Sequence, residues 1–237
     1  MSTAILVVIT GANAWTLNDG SKHPTGYWAS EFIHPHQVFT KAGFDITIAT
    51  PGGVEPTVDQ VSLSPAMNGD DQASIDAQRA YLAELGDKLA SPVVLEKIDP
   101  ADFDAVYVTG GHGPMEDLSV HDGIGRVVTT LLGDPNKVVG AVCHGVAALL
   151  PARAEDGSWP FAGRKLTSLT DEEENLVGLA PKAPWLLESR LRAAGGQFQG
   201  GAAFAPYVVV DGNLVTGQNP ASAGPSAEAL VEVLAGK

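Results

Sequence analysis

Six short runs rich in Val, Ile and Thr, bounded by Gly, Pro, Asn or Asp, punctuate the chain at Ile5–Thr10, Ile46–Thr50, Phe103–Thr109, Val138–Val142, Lys165–Leu169 and Tyr207–Thr216. The last of them turns at Asp211-Gly212, a hairpin signal. Between the runs lie stretches with helical spacing of apolar residues: Pro35–Ala42, Asp71–Leu85, Gly123–Leu132, His144–Leu150, Glu172–Leu179, Ala183–Ala194 and Ser222–Leu234. Most of the runs are apolar throughout instead of alternating with polar residues. Strands of that kind are buried on both faces, which happens in a parallel sheet sandwiched between helices. The pattern predicts a doubly wound α/β fold with the late hairpin as an antiparallel edge. The 237 residues suit one domain, residues 1–237. A Pro- and Asp-rich stretch at about 56–92 interrupts the alternation and reads as an insertion with one amphipathic helix, placed where it could cover a site.

The charge balance excludes several partners. Lys and Arg number 14 against 28 Asp and Glu, a net charge of −14, so neither nucleic acid nor an anionic membrane has a basic footprint to bind. The apolar run Ala4–Ile9 carries no basic leader and is too short for a signal core or a membrane span, which predicts a cytoplasmic protein. Cys143 is the single cysteine, so there is no internal disulfide and no thiolate zinc cluster. No Gly-x-Gly-x-x-Gly follows the first run and no phosphate-loop lysine motif occurs, which argues against dinucleotide or nucleotide chemistry.

Ligands of open parallel sheets bind beyond the carboxyl ends of strands. At one such end, Val138-Val-Gly-Ala-Val-Cys-His-Gly145 reads as a strand that stops at Cys143 and turns at once into a helix over Val146–Leu150. That is the pattern of a nucleophile elbow, in which small neighbours, here Ala141 and Gly145, let the turn close. The helix N-terminus predicts a depressed thiol pKa at Cys143; the competing role is that of a small buried hydrophobe. A second strand end runs into Thr109-Gly110-Gly-His-Gly113, where the Gly111 and His144 amides are candidate oxyanion donors and Gly110, His112 and Trp28 candidate substrate contacts. Glu31 lies four residues before Pro35, which reads as the first position of a helix starting near His34. Trp28 and Phe32 beside Glu31 predict a raised carboxyl pKa, unless the residue simply faces solvent. Thr170 and Glu173 form a capping-box pair, which leaves Glu174 free to point elsewhere. All six histidines precede residue 145, so a Cys-His-Glu triad can use only His144 itself downstream of the cysteine. A metal site from His34, His36 and a carboxylate is disfavoured by i,i+2 spacing on a helix, and no metal or cofactor is expected.

Taken together, Ala-Val-Cys-His-Gly, Thr-Gly-Gly-His-Gly, Gly-Tyr-Trp-Ala-Ser-Glu, Ala-Thr-Pro-Gly-Gly and Thr-Gly-Gln-Asn-Pro-Ala-Ser resemble the DJ-1/PfpI superfamily, in its Hsp31-like branch, from Ile5 to about Leu234. The resemblance implies a flavodoxin-like fold, a homodimer, and a triad of Cys143, His144 and Glu174 with Glu31 facing the thiol. Ser168-Leu169 stand where the family usually has Gly-Phe ahead of Glu174. The implied activity is a cofactor-independent glyoxalase III reaction on a small aldehyde, methylglyoxal to lactate. A stress chaperone or holdase with a redox-sensitive Cys143, a protein deglycase and, last, a peptidase are the other activities it implies. The chaperone alternative would need an accessible apolar surface, such as Tyr81, Leu82 and Leu85 of the insertion.

Overall fold

The computed structural model describes residues 2–237. Its strands are β1 (Ala4–Val8), β2 (Ala14–Thr16), β3 (Lys22–Pro24), β4 (Asp45–Thr50), β5 (Val93–Val94), β6 (Ala105–Val108), β7 (Val138–Val142), β8 (Lys165–Leu166), β9 (Gln197–Phe198), β10 (Val208–Asp211) and β11 (Leu214–Gly217). Seven of them form the central sheet in the order β10-β11-β7-β6-β1-β4-β5. Every pair in it is parallel except β10 with β11, which is antiparallel. The mostly parallel, doubly wound sheet expected from the runs is therefore present, hairpin edge included.

Successive residues of each strand feed opposite cores, as the twofold period of a strand requires. Leu6, Val8, Val106, Val108, Val139 and Ala141 line one face. Ile5, Val7, Ala105, Tyr107, Val138 and Val142 line the other. The first face is closed by Ile124, Val127, Val128 and Leu131 of helix α5 (Asp122–Gly133), which follows α1 (Ala29–Lys41), α2 (Gln72–Glu84), α3 (Gly86–Ala90) and α4 (Gly113–Glu116) along the chain. The second face is closed by α1, through Phe32, Ile33 and Phe39, and by the last helix, through Ala223, Ala227 and Leu230. The remaining helices are α6 (Asp171–Leu176), α7 (Leu187–Ala193) and that last one, α8 (Ala223–Ala235). No helix of the described residues is long and apolar enough to cross a membrane.

Three local expectations need correction. Helix α1 begins at Ala29, so Pro35 sits inside it. An interior proline costs a helix about 3 kcal/mol; burial of Ala29, Phe32, Ile33, Pro35 and Phe39 along one side of α1 outweighs that. The run Lys165–Leu169 contributes only β8, which pairs with β9 in a separate two-stranded sheet because β10 already occupies that edge of the central one. The segment after β7 is a 3-10 turn over Cys143–Leu149 and not an α-helix, buried along its whole length.

The segment between β4 and β5 straps onto the residues that lead into α1. The Tyr27 N–H donates to the Thr57 carbonyl (2.9 Å) and the Asp59 N–H to the Tyr27 carbonyl (2.8 Å). The Thr25 hydroxyl donates to Asp59 (2.8 Å), and a Cβ at Gly26 would lie 1.9 Å from the Thr57 carbonyl. Tyr81, Leu82 and Leu85 are partly buried against the second core.

Candidate active site

β7 ends at the centre of the sheet, and the chain must there reverse into the following turn. Cys143 makes the reversal at φ +56°, a conformation rare for a residue with a side chain. Gly145 makes the turn possible: a Cβ there would lie 2.6 Å from the Val108 and Thr109 carbonyls of the neighbouring strand end. The elbow read from the sequence is thus present, with the sulfur lifted over the carboxyl ends of β6 and β7.

Glu31 approaches the sulfur from the first turn of α1 and is fully buried. Neither of its oxygens has a hydrogen-bond partner of full strength. Burial pushes its carboxyl up to about 8, and the nearby Cys143 thiol and Gly110 and Gly111 amides offset only part of that rise. The carboxyl is pressed against the glycine loop: a Cβ at Gly110 would fall 2.2 Å from Glu31 Oε2 and 2.8 Å from Cys143 Cβ. Gly111 adopts φ +92°, and the Trp28 N–H donates to the Gly110 carbonyl (3.1 Å), which ties the loop to the start of α1. The loop thus borders both the Glu31 carboxyl and the Cys143 side chain.

The expected depression of the Cys143 thiol does not occur. Burial, with the Glu31 carboxyl beside it, pushes the thiol well above its ordinary range, and the His144 amide recovers little. The electrostatic benefit of a helix N-terminus is about 0.3–1 kcal/mol, whereas burial can move a titrating group by roughly 3–5 pH units.

On the other side of the sulfur, the capping box of α6 is complete: the Glu173 N–H donates to Thr170 Oγ1 (3.1 Å) and the Thr170 N–H to the Glu173 carboxylate (2.9 Å). Glu173 is also held by the Phe204 N–H and the Asn219 amide, both at 2.8 Å. With Glu173 so fixed, Glu174 points inward, 2.6 Å from His144 Nε2. Two imidazoles beside Glu174 outweigh its burial and hold its carboxyl far below the ordinary range. An ionised carboxylate only accepts, so His144 Nε2 carries the hydrogen and Nδ1, 3.6 Å from the Cys143 sulfur, is left as the acceptor. Cys143, His144 and Glu174 thus stand in hydrogen-bonded series.

His112 takes a place the sequence did not suggest. Its Nε2 lies 2.9 Å from the second Glu174 oxygen, its ring is 4.1 Å from that of His144, and Trp15 stacks on it at 5.3 Å. His112 and Glu174 are 62 positions apart, which leaves no sequence signal for the contact. His112, His144 and Glu174 bring donor atoms within 4.8 Å of one another, yet those donors are spent on each other, as a hydrogen-bonded cluster and not as a cation cradle. His34 and His36 diverge: His34 is exposed, while His36 is buried and bonded to Tyr81 (2.8 Å).

The model of the DJ-1/PfpI family matches residues 24–233. Glyoxalase 3 of Candida albicans is 30% identical over 96% of each chain, and a bovine glutamine amidotransferase-like class 1 domain-containing protein 1 is 31% identical over 87% of each. The crystal structure of glyoxalase III from Candida albicans superposes with a TM-score of 0.79 at 27% identity, covering 98% of this chain and 97% of that one. Fold, elbow and family match agree, and the chain belongs to the DJ-1/PfpI family.

Proposed function

We propose that this protein is a glutathione-independent glyoxalase that converts methylglyoxal, or a related small 2-oxoaldehyde, to a 2-hydroxy acid with Cys143 as nucleophile. The reading rests on a single juxtaposition: a carboxyl with no strong partner and a pKa of about 8, fully buried against a thiol that is itself 4% exposed. A carboxyl so poised can give and take protons near neutral pH. A sulfur so enclosed favours a small substrate over the side chains of a folded protein.

The chemistry balances with these groups. The thiol passes its proton to His144 Nδ1 as the sulfur bonds to the aldehyde carbon, and the new alkoxide takes the proton of Glu31, giving a hemithioacetal and a Glu31 carboxylate. That carboxylate removes the hydrogen from the former aldehyde carbon and returns it to the adjacent carbon, while the hydroxyl proton moves between the two oxygens. The product of this isomerisation is a thioester of the 2-hydroxy acid. Water then adds to the thioester carbon, giving its proton to Glu31, and the departing sulfur recovers its own from His144. We assign the oxyanion formed on addition to the Gly111 and His144 amides. Glu174 stabilises the His144 imidazolium from its formation on thiol addition until the departing sulfur takes the proton back.

The decisive experiment is lactate formation from methylglyoxal without added glutathione, wild type beside Cys143→Ala. Turnover by wild type and background rates in the variant are expected; no lactate from a folded wild type, or undiminished turnover in the variant, overturns the reading.

A further inference from the structure

Glu174 has two oxygens, and the mechanism uses one. Oε2 receives the His144 Nε2 hydrogen; Oε1 receives another from His112, on the glycine loop after β6. We propose that His112 is a positioning residue for the Cys143–His144 pair: by donating to Glu174 Oε1 it holds that carboxylate square to the His144 ring and shares its charge, so that His144 Nδ1 stays turned to the sulfur as acceptor of the thiol proton. The proposal rests on the role given to His144 above.

A buried carboxylate with a single partner would place its whole charge on that partner and favour its imidazolium form, which has no lone pair left for the thiol. A second donor divides that pull. His112 is suited to the task because it stays uncharged: burial and the neighbouring His144 push its own pKa down despite Glu174 and Asp59. Its orientation is enforced from outside the catalytic cluster. Trp15 of β2 stacks on the ring at 5.3 Å with planes 23° apart, and His23 of β3 meets it edge-on at 5.9 Å. The charged and titratable groups around the cluster are therefore Cys143, Glu31 and Glu173 on the sulfur side, with His23 and Asp59 on the His112 side. Neither Glu31 nor Glu173 forms a hydrogen bond with either histidine. Nε2 of His112, a candidate substrate contact by its place in the glycine loop, is committed to Glu174.

The test is the pH dependence of Cys143 alkylation by iodoacetamide, which needs no aldehyde, run beside the pH dependence of kcat/KM for methylglyoxal. His112→Phe keeps an aromatic ring against Trp15 and cannot donate; His112→Gln can. The Phe variant is expected to move the acid limb of alkylation up by about one pH unit, the size one hydrogen bond to a charged group supplies. In the Gln variant it should stay within about a third of a unit of wild type. Should the Phe variant fail to fold by circular dichroism, His112→Leu replaces it as the donorless variant. Coincident limbs in all proteins, or an equal shift in Gln and Phe, would overturn the proposal. Absence of lactate from wild type with the alkylation shifts intact would fell the glyoxalase reading and leave this one standing.

Discussion

Two glutamates flank the Cys143–His144 pair, Glu31 against the sulfur and Glu174 against the imidazole, each from the first turn of a helix, and they carry opposite protonation states. Glu31 on α1 is raised to about 8, whereas Glu174 on α6 is held far below its ordinary value. Both are buried and both sit where a helix dipole favours a negative charge, so neither burial nor the dipole separates them. The donors do. Glu174 receives a hydrogen on each oxygen from two imidazoles, and Glu31 receives none of full strength. Glu31 thus stands as a protonated acid against the thiol and Glu174 as an anion behind His144, which in the proposed mechanism separates the acid/base task from the orienting task.

The sharpest way to break this comparison is to make the two carboxyls into amides. Glu31→Gln removes the proton shuttle but preserves volume, and turnover is expected to fall about 10²–10⁴-fold, the usual range for a general acid/base. Alkylation of Cys143 should persist in the same variant; turnover within about threefold of wild type would remove Glu31 from the mechanism. Glu174→Gln should lower turnover too, through the tautomer of the imidazoles it holds. The amide can accept from one imidazole only and must donate to the other, so one histidine is forced into the wrong tautomer. Steady-state kinetics should show this loss in kcat with KM nearly unchanged, because Glu174 is screened from the substrate by His144.

What the sequence could foretell divides along the same line. The sheet was legible because both faces of β1, β6 and β7 are buried, and such strands are written as unbroken apolar runs. The turn at Cys143 was legible because an elbow demands small residues at fixed spacing; the capping box set Glu173 aside, but a place for Glu174 beside His144 followed from the family resemblance alone. The start of α1 was hidden by Pro35, a local signal that tertiary burial overrode. The thiol was misjudged because local sequence displays the turn that follows a cysteine and conceals the depth at which it lies. The pairing of His112 with Glu174 is set wholly by how two loops meet across the sheet end, and nothing local encodes that.

Stability offers the finest discrimination between the two carboxyls, since opposite pKa shifts tilt the pH dependence in opposite directions. Glu31 keeps its proton in the native state to about pH 8 but releases it near 4.5 when unfolded. Between those values the unfolded chain binds fewer protons, so rising pH costs native stability; at 1.36 kcal/mol per unit the full cost is at most about 5 kcal/mol. Glu174 is ionised in the native state throughout and takes up a proton on unfolding below its ordinary value of 4.5. Its contribution is therefore present above that pH and lost as pH falls, and His112, kept neutral by burial, adds a loss of the same sign that begins near 6.5. Glu31→Gln should accordingly flatten the stability curve between about pH 5 and 8, measured by urea unfolding, and leave its acid side unchanged. Glu174→Gln should soften only the acid side. If both variants flatten the same side, the two glutamates share one environment and the division of labour around Cys143 fails.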